Sequence, residues 1–182
     1  WVDGTYQNTE RTAAQATAVQ GNRSHLGNGT AASPETDVDS AGVGFGTKLT
    51  YEGFSLVATG FYGTAQGIRG QKTQGAATAT HALDDVGKER KSYGGYIQGT
   101  FDFGQGTSVG YSYGGNYLKK TGSDMNTTGV MNYHIMHSGM IWHNVTDNFR
   151  LVAEGGYTEK AWYLADDDQE DSFGGVGAFF FW

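Results

Sequence analysis

Apolar residues in this chain come singly rather than in runs. Over positions 40–51, Ala41, Val43, Phe45, Leu49 and Tyr51 alternate with Gly42, Gly44, Gly46, Lys48 and Thr50. That is a period of two, the spacing of a strand whose faces meet different surroundings. Turn signals cut the chain into eight such runs, at 1–8, 40–51, 54–66, 92–103, 107–119, 131–145, 149–163 and 171–182. An antiparallel all-β protein is predicted, in a single domain over 1–182 whose completeness at the N-terminal side is left open.

The connections carry more information than the runs. Glu52-Gly53, Gly104-Gln105-Gly106 and Thr146-Asp147-Asn148 have the composition of tight hairpin turns. The connections at 9–39, 67–91, 120–130 and 164–170 are long and polar. Short and long alternate strictly, which is the asymmetry of an outer-membrane β-barrel with short periplasmic turns and long external loops.

Faces follow from cost. Lys48 placed in lipid near the midplane would cost about 2–4 kcal/mol, so the set Ala41, Val43, Phe45, Leu49 and Tyr51 is expected to face lipid. The same test sends Tyr93, Ile97, Phe101 and Phe103 outward, with Val109, Tyr111, Tyr113 and Tyr117, and with Phe149, Leu151, Ala153 and Tyr157. The sixth run is ambiguous, since Met136, Met140 and Trp142 oppose Ile135, Ile141 and His143; Met140 and Trp142 are expected outward. Tyr51, Phe54, Phe103 and Trp142 stand at turn ends, where rings anchor at a membrane interface.

Composition agrees. The 182 residues include 30 glycines, 11 tyrosines, 10 phenylalanines and no cysteine. A mean hydropathy of −0.49 suits a barrel, because only alternate strand residues meet lipid. No stretch of 18 or more apolar residues forms a transmembrane helix. No signal peptide is visible, so either one was removed or more of the protein precedes Trp1. A formal charge of −7 without a basic stripe argues against nucleic acid as a partner.

The last run, ending Phe179-Phe180-Phe181-Trp182, resembles the carboxy-terminal insertion signal of bacterial outer-membrane proteins, with Trp182 and Phe180 as its aromatics. The stretch "FGTKLTYEGFSLVATGFYG" within 42–63 and "NVTDNFRLVAEGGYT" at 144–158 resemble the general porin family of Gram-negative proteobacteria. The resemblance covers most strands but not the loops. It implies a homotrimer of sixteen-strand barrels of roughly twice this length, placed in the outer membrane by the barrel-assembly machinery. Partners would be lipid and lipopolysaccharide, and the function passive diffusion of small hydrophilic solutes and ions. The chain departs from that pattern in having eight strands and no evident loop folded into the lumen. It therefore reads as the carboxy-terminal half of such a porin. The alternative is a self-contained eight-strand barrel, filled by side chains, with a structural or adhesive role through its outer loops.

Candidate pore-lining residues are Lys48, Gln98, Asp102, Asn116, Arg150 and Glu154, with Asp3 as a further anion; opposed charges in a lumen orient water and set ion selectivity. They could instead simply satisfy one another in a packed interior. The acidic run at Asp166, Asp167 and Asp168 is a weak metal candidate, better read as a solvated loop. His134 and His137, three apart, fall on opposite faces of a strand and make a poor metal pair. "GVGFG" is no dinucleotide loop, since no helix follows it. No serine sits in a nucleophile motif, so the expectation is no enzyme and no cofactor. A barrel esterase remains a rival, and an ester-hydrolysis assay would identify it.

Overall fold

The computed structural model describes residues 1–10, 37–65, 83–84, 88–122, 131–163 and 168–182. It is all-β: β1 (Val2–Glu10), β2 (Asp37–Tyr51), β3 (Phe54–Thr64), β4 (Lys91–Asp102), β5 (Thr107–Leu118), β6 (Met131–Thr146), β7 (Phe149–Trp162) and β8 (Gln169–Phe180). They form one antiparallel sheet in sequence order, β1 to β8. Each strand therefore pairs with its neighbour in sequence, as hairpin-linked chains do. β1 and β8 are the two edges, and they are not paired with each other. Every run read from the alternation is a strand, displaced at its ends by three residues at most.

The short turns set the register. In the β2–β3 hairpin Tyr51 faces Phe54 across two residues, and Glu52 and Gly53 have φ of 42° and 84°. Two central residues in the left-handed region make the primed turn whose twist matches its strands. Gly53 suits it, since a Cβ there would come within 2.9 Å of the Asp102 carbonyl oxygen. The β4–β5 turn holds Gly104, Gln105 and Gly106 all at positive φ. In the β6–β7 turn the register slips between Asn144 and Thr146, and the Asn148 amide donates to Thr146 Oγ1 at 3.3 Å.

Register sorts the sheet into two faces, because directly opposed residues share a side. One face is apolar. Near the short turns it carries the row Tyr51, Phe54 and Phe101, with Phe103 edge-on to Phe101 at 5.0 Å and Phe149 stacked on Phe180 at 4.6 Å. Eight residues along, Tyr62, Tyr93, Tyr117 and Tyr133 oppose one another in turn across β3–β6. Eight residues of strand span about 26 Å, or about 20 Å along the normal of a sheet tilted near 40°. On β2–β6 no Asp, Glu, Lys or Arg stands on this face between the two aromatic rows; on β7 and β8 the first are the facing pair Glu159 and Glu170, at the loop end. Its side chains are nonetheless open: Leu49 is 60% exposed, Ile97 44% and Val176 90%.

The sixth strand departs from expectation. Ile135, Ile141 and His143 oppose Gly115, Val109 and Thr107 on the apolar face, whereas Met136, Met140 and Trp142 oppose Gly114, Gly110 and Ser108 on the polar one. Both faces of this strand are apolar by sequence, so only its pairing with β5 and β7 settles the side. Met140 and Trp142 accordingly point with Lys48 and Gln98, not with the Phe101 row.

At the loop end, the described part of the β3–β4 connection folds back on the sheet. Leu83 is buried with Val38 and Ala65, Arg90 donates to the Leu83 carbonyl at 2.5 Å, and Thr121 donates to Asp84 Oδ2 at 2.5 Å. That last bond ties the β3–β4 connection to the end of β5.

Several glycines accept a ring from the facing strand. A Cβ on Gly156 would collide with the His137 carbonyl oxygen and lie 2.5 Å from the Phe173 ring, which opposes it in β8. Gly175, by contrast, has nothing within 4 Å. Gly156→Ala is expected to cost about 1–3 kcal/mol through overpacking, and Gly175→Ala less than about 0.5 kcal/mol. Urea titration of the unheated, folded band on gels measures both.

Candidate functional site

The polar face is the place where the chain concentrates chemistry. Lys48, Gln98, Asp102, Asn116, Arg150 and Glu154 all lie on it: Lys48 opposes Val57 and Val57 opposes Gln98, Asp102 opposes Ser108, Asn116 opposes His134, Glu154 opposes Met140 and Arg150 opposes Asn144. Asp3, facing Gly44, lies there too. With Asp3, seven positions on five strands share a side because each strand keeps its two-residue period and the hairpins preserve register.

They form a spread field rather than a cluster. Arg150 donates from Nε to Asn144 Oδ1 at 2.6 Å, and its guanidinium lies 5.5 Å from the centre of the Phe181 ring. Asp102 Oδ1 accepts the Gly104 amide at 2.8 Å, tying the carboxylate to its own turn. Gln98 accepts from Tyr96, on the same strand. The cations and anions read from sequence therefore do not neutralise one another in pairs; Asn144 and Phe181 take Arg150 instead of a carboxylate.

Among the described residues, the ion pair on this face is one that alternation did not single out. Lys160 Nζ lies 3.1 Å from Asp171 Oδ2, with 21% and 45% of the two side chains exposed. Being solvated, such a pair contributes about 0–1 kcal/mol to stability; it adds local field more than strength. Beside it, His134 Nε2 bonds Thr158 Oγ1 at 2.9 Å. Lys160 and Asp171 were legible as charged strand residues, but not as partners, since that needs the β7–β8 register. In the middle, Ser112 and Ser138 share a buried hydroxyl bond of 2.8 Å.

His134 and His137 do fall on opposite faces. His137 stands on the apolar side, bonded through Nδ1 to the Tyr111 hydroxyl at 2.8 Å and 4.8 Å from the centre of the Tyr113 ring. Among the described residues no group of three or more His, Asp or Glu could hold a metal. Asp166 and Asp167 lie outside the described residues; Asp168 is exposed and accepts from Tyr133 at 3.1 Å. Phe180 lies at the short-turn rim against Phe149, and Trp182, beyond β8, is fully exposed. No family model matches the chain, and neither a curated protein nor a solved structure matches it.

Proposed function

We propose that this chain is part of the wall of a bacterial outer-membrane porin, a water-filled channel for passive diffusion of small hydrophilic solutes and ions. The observation that carries the reading is the chemical opposition of the sheet's two faces, clearest on β2, β4, β5 and β7. One face is an uncharged apolar band bounded by aromatic rows about 26 Å apart along the strand; the other holds Lys48, Gln98, Asp102, Asn116, Arg150, Glu154 and the Lys160–Asp171 pair. A sheet packed on a soluble core hides its apolar face; here that face is open, as a lipid-facing one would be.

The open edges bear on barrel size. Unpaired β1 and β8 backbone would leave several kcal/mol per group unsatisfied in lipid; in this reading the two edges pair with further strands, as in the sixteen-strand barrels of the resembled family. In this reading the apolar face meets lipid and lipopolysaccharide acyl chains, the Phe180–Trp182 terminus is read by assembly machinery, and no covalent chemistry or cofactor is involved.

Native protein extracted from the outer membrane and placed in planar bilayers tests this. Stable ohmic steps are expected. Glu154→Lys, which exchanges a lumen anion for a cation, is expected to move the reversal potential in a salt gradient toward anion preference. A silent bilayer would favour the filled, adhesive barrel, and hydrolysis of an ester substrate lost on replacing one serine would favour the enzyme.

A further inference from the structure

The side chains that change face on β6 point into a definite place. Near the short turns the polar face holds a concavity of about 460 Å³ whose lining includes Thr50, Ser55, Thr100, Asp102, Ser108 and Trp142. Register explains the gathering. Thr50 opposes Ser55, Ser55 opposes Thr100, Asp102 opposes Ser108 and Ser108 opposes Trp142, so five strands deliver these groups to two adjacent rows. Gly110 clears the ground between them. A Cβ there would lie 3.0 Å from Met140 Cγ, 3.2 Å from Thr100 Cγ2 and 3.3 Å from the Trp142 ring, so a larger residue would crowd the half-buried indole.

The lining combines the Trp142 ring, the hydroxyls of Thr50, Ser55, Thr100 and Ser108, and two carboxylates, Glu52 of the β2–β3 turn and Asp102, which is anchored to its own turn. A pyranose ring has the matching chemistry. Its C–H faces stack on an aromatic surface, while its rim of hydroxyls donates to carboxylates and exchanges hydrogen bonds with Ser and Thr. Other solutes fit less well. Lys, Arg and His do not contribute to the lining, so nothing here pairs with an anion, and among the described residues Glu52 and Asp102 are not joined by a third acidic or histidine ligand that would hold a bare divalent cation.

We infer that this concavity is a weak binding site for neutral carbohydrate, with Trp142 as the stacking surface and Glu52, Asp102, Thr50, Ser55, Thr100 and Ser108 as its polar rim. The inference rests on the polar face being a water-filled lumen. A site in a diffusion path holds its solute loosely enough to release it, and an open, wet concavity does so.

Native protein in detergent micelles, titrated with maltotriose in a calorimeter, tests the site independently of conduction. Saturable binding with Kd of about 1–50 mM is expected. Trp142→Ala is expected to weaken it at least about tenfold, and Trp142→Phe, which keeps a ring, by no more than about threefold. Thr100→Val keeps the shape and removes one hydroxyl; it too must weaken binding, and it serves if Trp142→Ala does not assemble. Absence of saturation below about 100 mM, or affinity unchanged in these variants, would overturn the site. A protein that conducts but does not bind maltotriose overturns only the site; one that binds through Trp142 but does not conduct overturns the porin reading.

Discussion

Ile97→Arg is expected to abolish most of the assembled protein, while Gln98→Arg, one residue along, leaves it nearly intact. Ile97 stands on the apolar face, opposite Ala58 and Tyr113. It lies four residues from Phe101 in one aromatic row and four from Tyr93 in the other, so it occupies the middle of the band. An arginine at the midplane of a lipid face costs about 2–4 kcal/mol, a large share of a typical folding free energy of about 5–15 kcal/mol. Gln98 opposes Ser112 on the polar face, where a guanidinium stays hydrated and the change is worth about 0.5 kcal/mol at most. Urea titration of folded protein in lipid vesicles gives both numbers. Equal losses, or a harmless Ile97→Arg, would mean that the face carrying Ile97 does not meet lipid.

The second large effect is all-or-none. Cysteines at Thr5 and Gly177 are expected to remain reduced in the native protein under mild oxidation. Thr5 is in β1 opposite Gly42, and Gly177 is in β8 opposite Val152. The two strands are opposite edges of the sheet, whereas a disulfide needs Cα atoms about 4.4–6.8 Å apart. In a self-contained eight-strand barrel those edges would join and the bridge would form readily. In a larger barrel other strands separate them. Mobility of the unreduced, unheated protein on a gel distinguishes the outcomes, and rapid, quantitative cross-linking would rule out the half-porin.

Much of the architecture was legible because its signals are local. A period of two is written in each strand's own residues, and Glu52-Gly53 and Gly104-Gln105-Gly106 specify turns that need no distant partner. Once strand positions and hairpin turns are known, sequential antiparallel pairing follows, and with it the shared face of Lys48, Gln98, Asp102, Asn116, Arg150 and Glu154. On β2, β4, β5 and β7 a charged or amide residue was enough to orient the strand.

β6 carries its amides, Asn132 and Asn144, only near its ends, and its middle has no such marker. Met136, Met140 and Trp142 on one side and Ile135, Ile141 and His143 on the other differ little in transfer free energy, so its own sequence left the choice open. Pairing decided it: Ser108 and Val152 flank Trp142, and Val109 and Ala153 flank Ile141. The same holds for the Lys160–Asp171 pair, for the concavity assembled from five strands around Trp142, and for the Asp84–Thr121 bond between two connections. Alternation therefore determined by itself which residues are strand, which are turn and, where a polar residue marks a strand, which way it faces. Tertiary structure alone decided which side chains meet across strands, because such contacts depend on register and on neighbours far away in sequence, and a strand apolar on both sides carries no information about either.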